Sequence, residues 1–196
     1  MRTLVAVAFD GMEMLDICGP LSLFGMLPDE FSIAIATRDG FAARCSNGVS
    51  IDADFSFDSA SDPDLLLIPG GSGTRLLVND ELFLAALKSM HDASSLTMSV
   101  CTGAALIAKA GCLDERTATT NKLAWDWATS QGSSTTWKRR ARWVRDGDIY
   151  TSSGISAGMD MALAVIRDEI SEKAAMDVAR WAEYIWKDNP NEDPFA

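Results

Sequence analysis

The stretch Leu96-Thr97-Met98-Ser99-Val100-Cys101-Thr102-Gly103-Ala104-Ala105 decides the fold. A short apolar run that reads as a buried strand, Leu96–Val100, passes through Cys101 into a helix-like segment, residues 102–110, that stops at Gly111. That order places Cys101 at the carboxyl end of a strand, facing the unpaired amides of the next helix's first turn. Their partial positive charge favours thiolate over thiol by roughly 0.3–2 kcal/mol, about one pKa unit from a free value near 8.5. The expectation is an exposed nucleophile with a lowered pKa. The competing account is a buried cysteine serving as a small apolar filler, which requires no strand, turn and glycine around it.

Working outward, four more apolar runs read as buried strands: residues 4–9, Phe31–Thr37, Leu65–Ile68 and Ile149–Ser152. Between most of them lie helical patterns. Residues 20–27 open on Pro20 in a first-turn position, residues 80–90 follow Asn79 as N-cap, and residues 122–130 stop near Gly132. Residues 157–186 read as two helices with a break near Ser171, and residues 41–58 as a small β-excursion. Strands alternating with helices predict a mainly parallel sheet covered on both faces. A single α/β domain is expected over residues 1–188, with a polar, proline-bearing tail at 189–196 that frays.

Composition narrows the function classes. A length of 196 residues suits one large domain better than two. No apolar run approaches the roughly 18 residues that span a bilayer. The first apolar segment is too short for a signal-peptide core and has no small-residue cleavage site behind it, which predicts a cytoplasmic protein. Seventeen basic against 28 acidic residues give a net charge of −11, which disfavours nucleic acid and anionic membranes as partners. The basic cluster Lys138, Arg139, Arg140, Arg142 and Arg145 reads instead as the charged edge of a hairpin around Asp146-Gly147. The four cysteines, Cys18, Cys45, Cys101 and Cys112, form no C-x-x-C pair, and the single histidine, His91, completes no zinc spacing. Free thiols are expected, with no metal and no cofactor.

In such a sheet ligands bind beyond the carboxyl ends of the strands. The loops leaving there carry Asp16, the glycines of residues 69–73, Cys101-Thr102-Gly103, and residues 153–156. Gly70 and Gly71 let the backbone approach a bound group and, with the Thr102 amide, offer an oxyanion-hole-like pocket beside the sulfur. A plain tight turn accounts for the same glycines; a phosphate loop would need a Lys-Ser/Thr ending or G-x-G-x-x-G spacing. Asp16 lies among apolar neighbours before Gly19-Pro20, where desolvation raises a carboxyl pKa; the alternative is a helix-capping aspartate. His91 ends the helix before Leu96–Val100, so about 20 Å of strand separates it from Cys101, and its place at a helix C-terminus suits the charged form.

These segments resemble the DJ-1/PfpI superfamily over nearly the whole chain, through Ile-Pro-Gly-Gly-Ser-Gly at 68–73, Ser-Val-Cys-Thr-Gly-Ala at 99–104 and Gly-Ile-Ser-Ala-Gly-Met-Asp at 154–160. Within it the chain is similar to the isonitrile hydratases, through Leu-Asp-Ile-Cys-Gly-Pro at 15–20 and Arg-Thr-Ala-Thr-Thr at 116–120. The resemblance implies a flavodoxin-like three-layer α/β sandwich with a cysteine nucleophile elbow, usually a homodimer. It also implies a lyase that hydrates a small isocyanide to an N-substituted formamide. Cys101 would form a thioimidate and Asp16 would supply and recover protons, the two sharing one proton. Gly70, Gly71, Thr102, Gly154 and Ile155 would shape the pocket. Two positions depart from the pattern: Asn121 stands where many relatives carry histidine, and Ser152-Ser153-Gly154 precedes Ile155. The first removes a Cys-His dyad and the second reshapes the pocket wall. Some relatives are sensing domains joined to a helix-turn-helix region, which is not expected here. The rival accounts are a non-enzymatic redox-sensing or regulatory module with an accessible low-pKa thiol, and glyoxalase- or amidase-like chemistry at Cys101.

Overall fold

The computed structural model describes residues 1–59 and 62–196. In chain order its elements are β1 (Arg2–Val7), α1 (Met14–Phe24), β2 (Phe31–Thr37), β3 (Ala43–Arg44), β4 (Ser50–Ile51), β5 (Phe55–Ser56), a 3-10 turn (Phe57–Ser59), β6 (Leu65–Ile68), α2 (Thr74–Leu77) and α3 (Glu81–Ala93). There follow β7 (Leu96–Val100), α4 (Gly103–Lys109), β8 (Thr117–Ala118), α5 (Trp125–Thr129), β9 (Thr136–Trp137), β10 (Trp143–Asp146), β11 (Ile149–Ser152), α6 (Ala157–Glu169) and α7 (Glu172–Trp181). None of these helices is long and apolar enough to cross a membrane.

Seven strands form the central sheet in the order β10-β11-β7-β6-β1-β2-β5. All its neighbours run parallel except β10 and β11, the hairpin expected around Asp146-Gly147. Every residue of β6 and β7 is buried, which an apolar strand achieves only when helices cover both faces of the sheet. The helices fall into two packed groups, α1 with α6 and α7, and α3 with α4 and α5. The flavodoxin-like α/β sandwich is therefore observed. From β1 the chain builds one side of the sheet through β2 and β5, then returns to β6 and builds the other. The switch lies between β1 and β6, and the crevice above it is where an open parallel sheet holds its ligand. An isolated bridge between Met12 and Gly71 ties together the two loops that rise there.

Four expected strands have their observed bounds, and the break between the last two helices falls at Ser171, whose side chain caps α7. The first helix is different: it starts at Met14 rather than Pro20, and Pro20 lies inside it. The Glu13 carboxylate accepts from Leu15 N–H at 3.4 Å and opens the helix early. Burial of Ile17, Leu23 and Phe24 then outweighs the hydrogen bond an interior proline forfeits. The cap of α3 is Asp80, which accepts from Phe83 N–H at 3.0 Å, rather than Asn79. Residues 189–196, expected to fray, lie along residues 140–142. Arg142 N–H donates to Pro190 O at 2.7 Å and Asp193 N–H to Arg140 O at 2.9 Å. A partner distant in sequence, the buried cations Lys122 and Arg142 facing Asp193, holds this polar segment in place.

Candidate active site

Cys101 occupies the turn between β7 and α4 with φ at 58°, a left-handed conformation that disfavours any residue with a Cβ. The surroundings enforce it. Cys101 N–H is shared between Ser152 O (3.2 Å) and Ser153 O (3.1 Å), and Thr120 Oγ1 donates to Cys101 O at 2.9 Å. A strained residue over-determined by its neighbours is the usual mark of a functional turn, so the elbow expected from sequence is present. Its sulfur is not the exposed, acidified thiol expected with it. Cys101 is 6% exposed. Burial and the Asp16 carboxylate drive its pKa far up, against hydrogen bonds from Thr102 N–H, the Asn121 side chain and the Thr102 hydroxyl. The amides do favour thiolate; desolvation outweighs them.

Asp16 lies in the first turn of α1, fully buried. Its Oδ2 accepts from Gly70 N–H at 2.9 Å. Oδ1 is buried without a hydrogen-bond partner. Its pKa is raised to about 7, chiefly by burial and further by the nearby Glu13 charge, with the Gly70 amide and the Cys101 thiol pulling the other way. Asp16 does not cap a helix; Glu13 does. The structure thus brings Asp16 and Cys101 together across the switch between β1 and β6, close enough for each to displace the other's titration.

The glycine loop acts differently from the expectation. Gly70 gives its amide to Asp16 and Gly71 gives its amide to Thr102 Oγ1 at 3.0 Å, so neither points at a ligand. The loop positions the acid instead of forming an oxyanion hole. Close approach explains Gly70: a Cβ there would sit 2.5 Å from Thr102 N and 2.9 Å from Cys101 Cβ. Gly154 is equally constrained, because a Cβ would lie 3.0 Å from Cys101 Sγ and collide with the Asn121 amide. Gly154, Ile155, Asn121 and Leu15 line a cavity of about 630 Å³ at this end of the site.

Asn121 is the residue the sequence singled out only as a departure from the family pattern. Its side chain donates toward Cys101 Sγ and its Oδ1 accepts from Ala124 N–H at 2.9 Å. No local pattern announces this role, since the loop carrying it is brought to the elbow by β8 and by Thr120. His91 stays away: Nδ1 is bonded to Thr97 Oγ1 at 2.7 Å, at the start of β7, four residues or about 13 Å of strand from Cys101. Burial lowers its pKa, so the charged form expected from the helix dipole is not favoured. Among the described residues no group of His, Cys, Asp and Glu side chains is arranged to hold a metal.

A parallel α/β sandwich with a buried acid and a strained cysteine at its switch point defines a class of cysteine-elbow proteins. The chain belongs to the DJ-1/PfpI family, whose model matches residues 1–168. Among curated proteins it is 30% identical over 176 residues to an isonitrile hydratase of Pseudomonas putida, spanning 90% of this chain and 75% of that one. It is 29% identical over 122 residues to a deglycase of Thermococcus kodakarensis, spanning 61% of this chain and 71% of the relative. A crystal structure of a ThiJ/PfpI family protein from Pseudomonas syringae superimposes with a TM-score of 0.86 at 26% identity, over 93% of this chain and 75% of that one.

Proposed function

We propose that this protein is an isonitrile hydratase-like enzyme, converting R–N≡C and water into the formamide R–NH–CHO. The observation that carries the reading is the Asp16 carboxyl, poised at a pKa of about 7 with a free Oδ1 beside the elbow thiol. An isocyanide carbon must receive both a nucleophile and a proton, and this pair holds both. Asp16 takes the Cys101 proton, sulfur attacks the terminal carbon, and Asp16 returns the proton to that carbon, leaving R–N=CH–S–Cys101. Water then adds to the same carbon with Asp16 as base, the C–S bond breaks, and the two water protons end on nitrogen and sulfur. The high Cys101 pKa is consistent with this order, because the thiol needs a base within reach before it can attack. The Gly154 and Ile155 amides, which have no acceptor among the described residues, border the cavity and are suited to charge developing on nitrogen.

A second reading places deglycase- or glyoxalase-type chemistry at the same thiol, and the similarity to the Thermococcus kodakarensis deglycase favours it. Burial of Cys101 and its raised pKa work against the redox-sensing account, since oxidation follows an accessible thiolate. The deciding experiment incubates the purified protein with an alkyl isocyanide and follows formamide, then repeats the assay with methylglyoxal. Formamide that disappears in Cys101→Ala but persists in Cys45→Ala and Cys112→Ala supports hydration. Turnover of methylglyoxal alone transfers the assignment to the second reading. The family resemblance also carries a homodimer working in the cytoplasm, and light scattering of the purified protein tests the dimer.

A further inference from the structure

The cavity beside Cys101 has a wall that none of the site motifs supplies. Alongside Leu15, Leu123 and Ile155, its lining includes Phe195, a residue 71% exposed yet held in a defined place. What holds it is Asp193. The Asp193 carboxylate has no solvent exposure and lies between two buried cations, with Oδ2 at 3.7 Å from Lys122 Nζ and Oδ1 at 3.8 Å from Arg142 Nη1. Oδ1 also accepts from Phe195 N–H at 3.1 Å, so the charge contact and the aromatic ring share one turn. Arg142 is fixed from its other side by Asp160, with Nε and Nη2 each at 2.6 Å from Oδ2. Asp160 Oδ1 in turn accepts from Tyr184 Oη at 3.0 Å and from Lys187 N–H at 2.9 Å. Residues 184–195 are thus fastened at both ends to one buried row of alternating charges.

Such a row is costly to bury unless every charge is met. Arg142 Nη1 and Asp193 Oδ2 have no hydrogen-bond partner, so within this row they are met only by the ionic contacts between Asp193 and the two cations. The fastening also touches the chemistry. Lys122 donates to Thr119 Oγ1 at 2.7 Å, Ala141 O at 2.8 Å and Thr120 O at 3.2 Å. Thr120 holds the Cys101 carbonyl, and Asn121 between them contacts the sulfur.

We propose that residues 193–195 form the specificity-setting wall of the Cys101 pocket, Phe195 limiting the width of the uncharged apolar group admitted and Asp193 latching that wall shut. The inference concerns any electrophile that reaches Cys101, so it stands apart from the isocyanide reading. The group admitted meets Leu15, Leu123, Ile155 and Phe195 on its way to Asn121 and Gly154. A slim neutral alkyl or aryl substituent suits those surfaces, and the Lys122 and Arg139 side chains that also line the cavity repel a cationic one.

The test uses two neutral thiol reagents, methyl and benzyl methanethiosulfonate, each of which forms a mixed disulfide with Cys101 and releases methanesulfinate. Peptide mass mapping separates Cys101 from the other cysteines. Phe195→Ala is expected to raise the benzyl reagent's rate at Cys101 by tenfold or more and the methyl reagent's by less than threefold. Asp193→Asn keeps the shape, removes the charge, and is expected to raise both rates and to speed amide hydrogen exchange in residues 188–196 at least tenfold. A benzyl-to-methyl ratio unchanged within twofold in Phe195→Ala overturns the role of Phe195. Unaltered exchange in a folded Asp193→Asn overturns the latch. Because Phe195 is exposed, its variant reads out even if Asp193→Asn fails to fold.

Discussion

Asp16 works against the fold it sits in. An unfolded aspartate titrates near 3.8, whereas this one is raised to about 7 by burial. A raised carboxyl pKa means that the folded state prefers the protonated acid. Its contribution to stability is complete below about 4 and is lost as pH rises through about 7. Asp16→Asn keeps an acceptor for Gly70 N–H and removes the charge, so it should be more stable than the parent at pH 8 by a few kcal/mol, read from denaturant midpoints. The same variant should lose roughly 10²-fold or more in isocyanide turnover. Near-normal turnover would return Asp16 to a structural role. In the parent, kcat/KM should climb as pH rises through about 7 and then stay level, because the Cys101 thiol holds its own proton to far higher pH. Asp16→Asn should abolish that rise. Cys101 was legible from its strand-turn-glycine context and Asp16 from its apolar neighbours. The direction of the Cys101 pKa was not, because desolvation depends on everything packed around the sulfur and only the helix end is visible in sequence.

At the level of elements, the junction between β7 and α4 makes a prediction of its own. A residue with a Cβ held at φ 58° costs about 1–2 kcal/mol relative to glycine. Glycine loses about 0.5–1 kcal/mol through its freer unfolded chain. Cys101→Gly should therefore melt no lower than Cys101→Ala; a clearly lower midpoint would mean the turn carries no strain. At the opposite end of β7, His91 is bonded to Thr97. His91→Gln should leave turnover within a few fold, and a 100-fold loss in a folded variant would require a histidine supplied from elsewhere. Apolar runs made β2, β6, β7 and β11 readable with their bounds. The start of α1 was not readable, since Pro20 is the stronger local signal and only the tertiary burial of Ile17 reveals the earlier turn. Asn121 escaped for the same reason: its loop has no periodic pattern, and its contact with Cys101 exists only once β8 and β11 are in place.

Taken whole, the molecule shows how far local rules extend. Residues 189–196 look like a tail because they are polar and contain prolines, yet Asp193 meets Lys122 and Arg142, dozens of positions back along the chain. Such partners have no trace in a window of sequence. The same long reach governs the site itself. Asp16 rises from the half of the sheet begun by β1 and Cys101 from the half begun by β6, and the seam is crossed by the Gly70-to-Asp16 hydrogen bond and the Met12–Gly71 bridge. Neither half alone holds both the acid and the thiol. If the proposed reaction runs at this pair, catalytic competence is an all-or-none property, a gauge of whether the two halves have docked. A urea titration followed by turnover and by tryptophan fluorescence should give superimposed curves, whereas an active species surviving past the fluorescence midpoint would show that one half alone can organise the acid and the thiol.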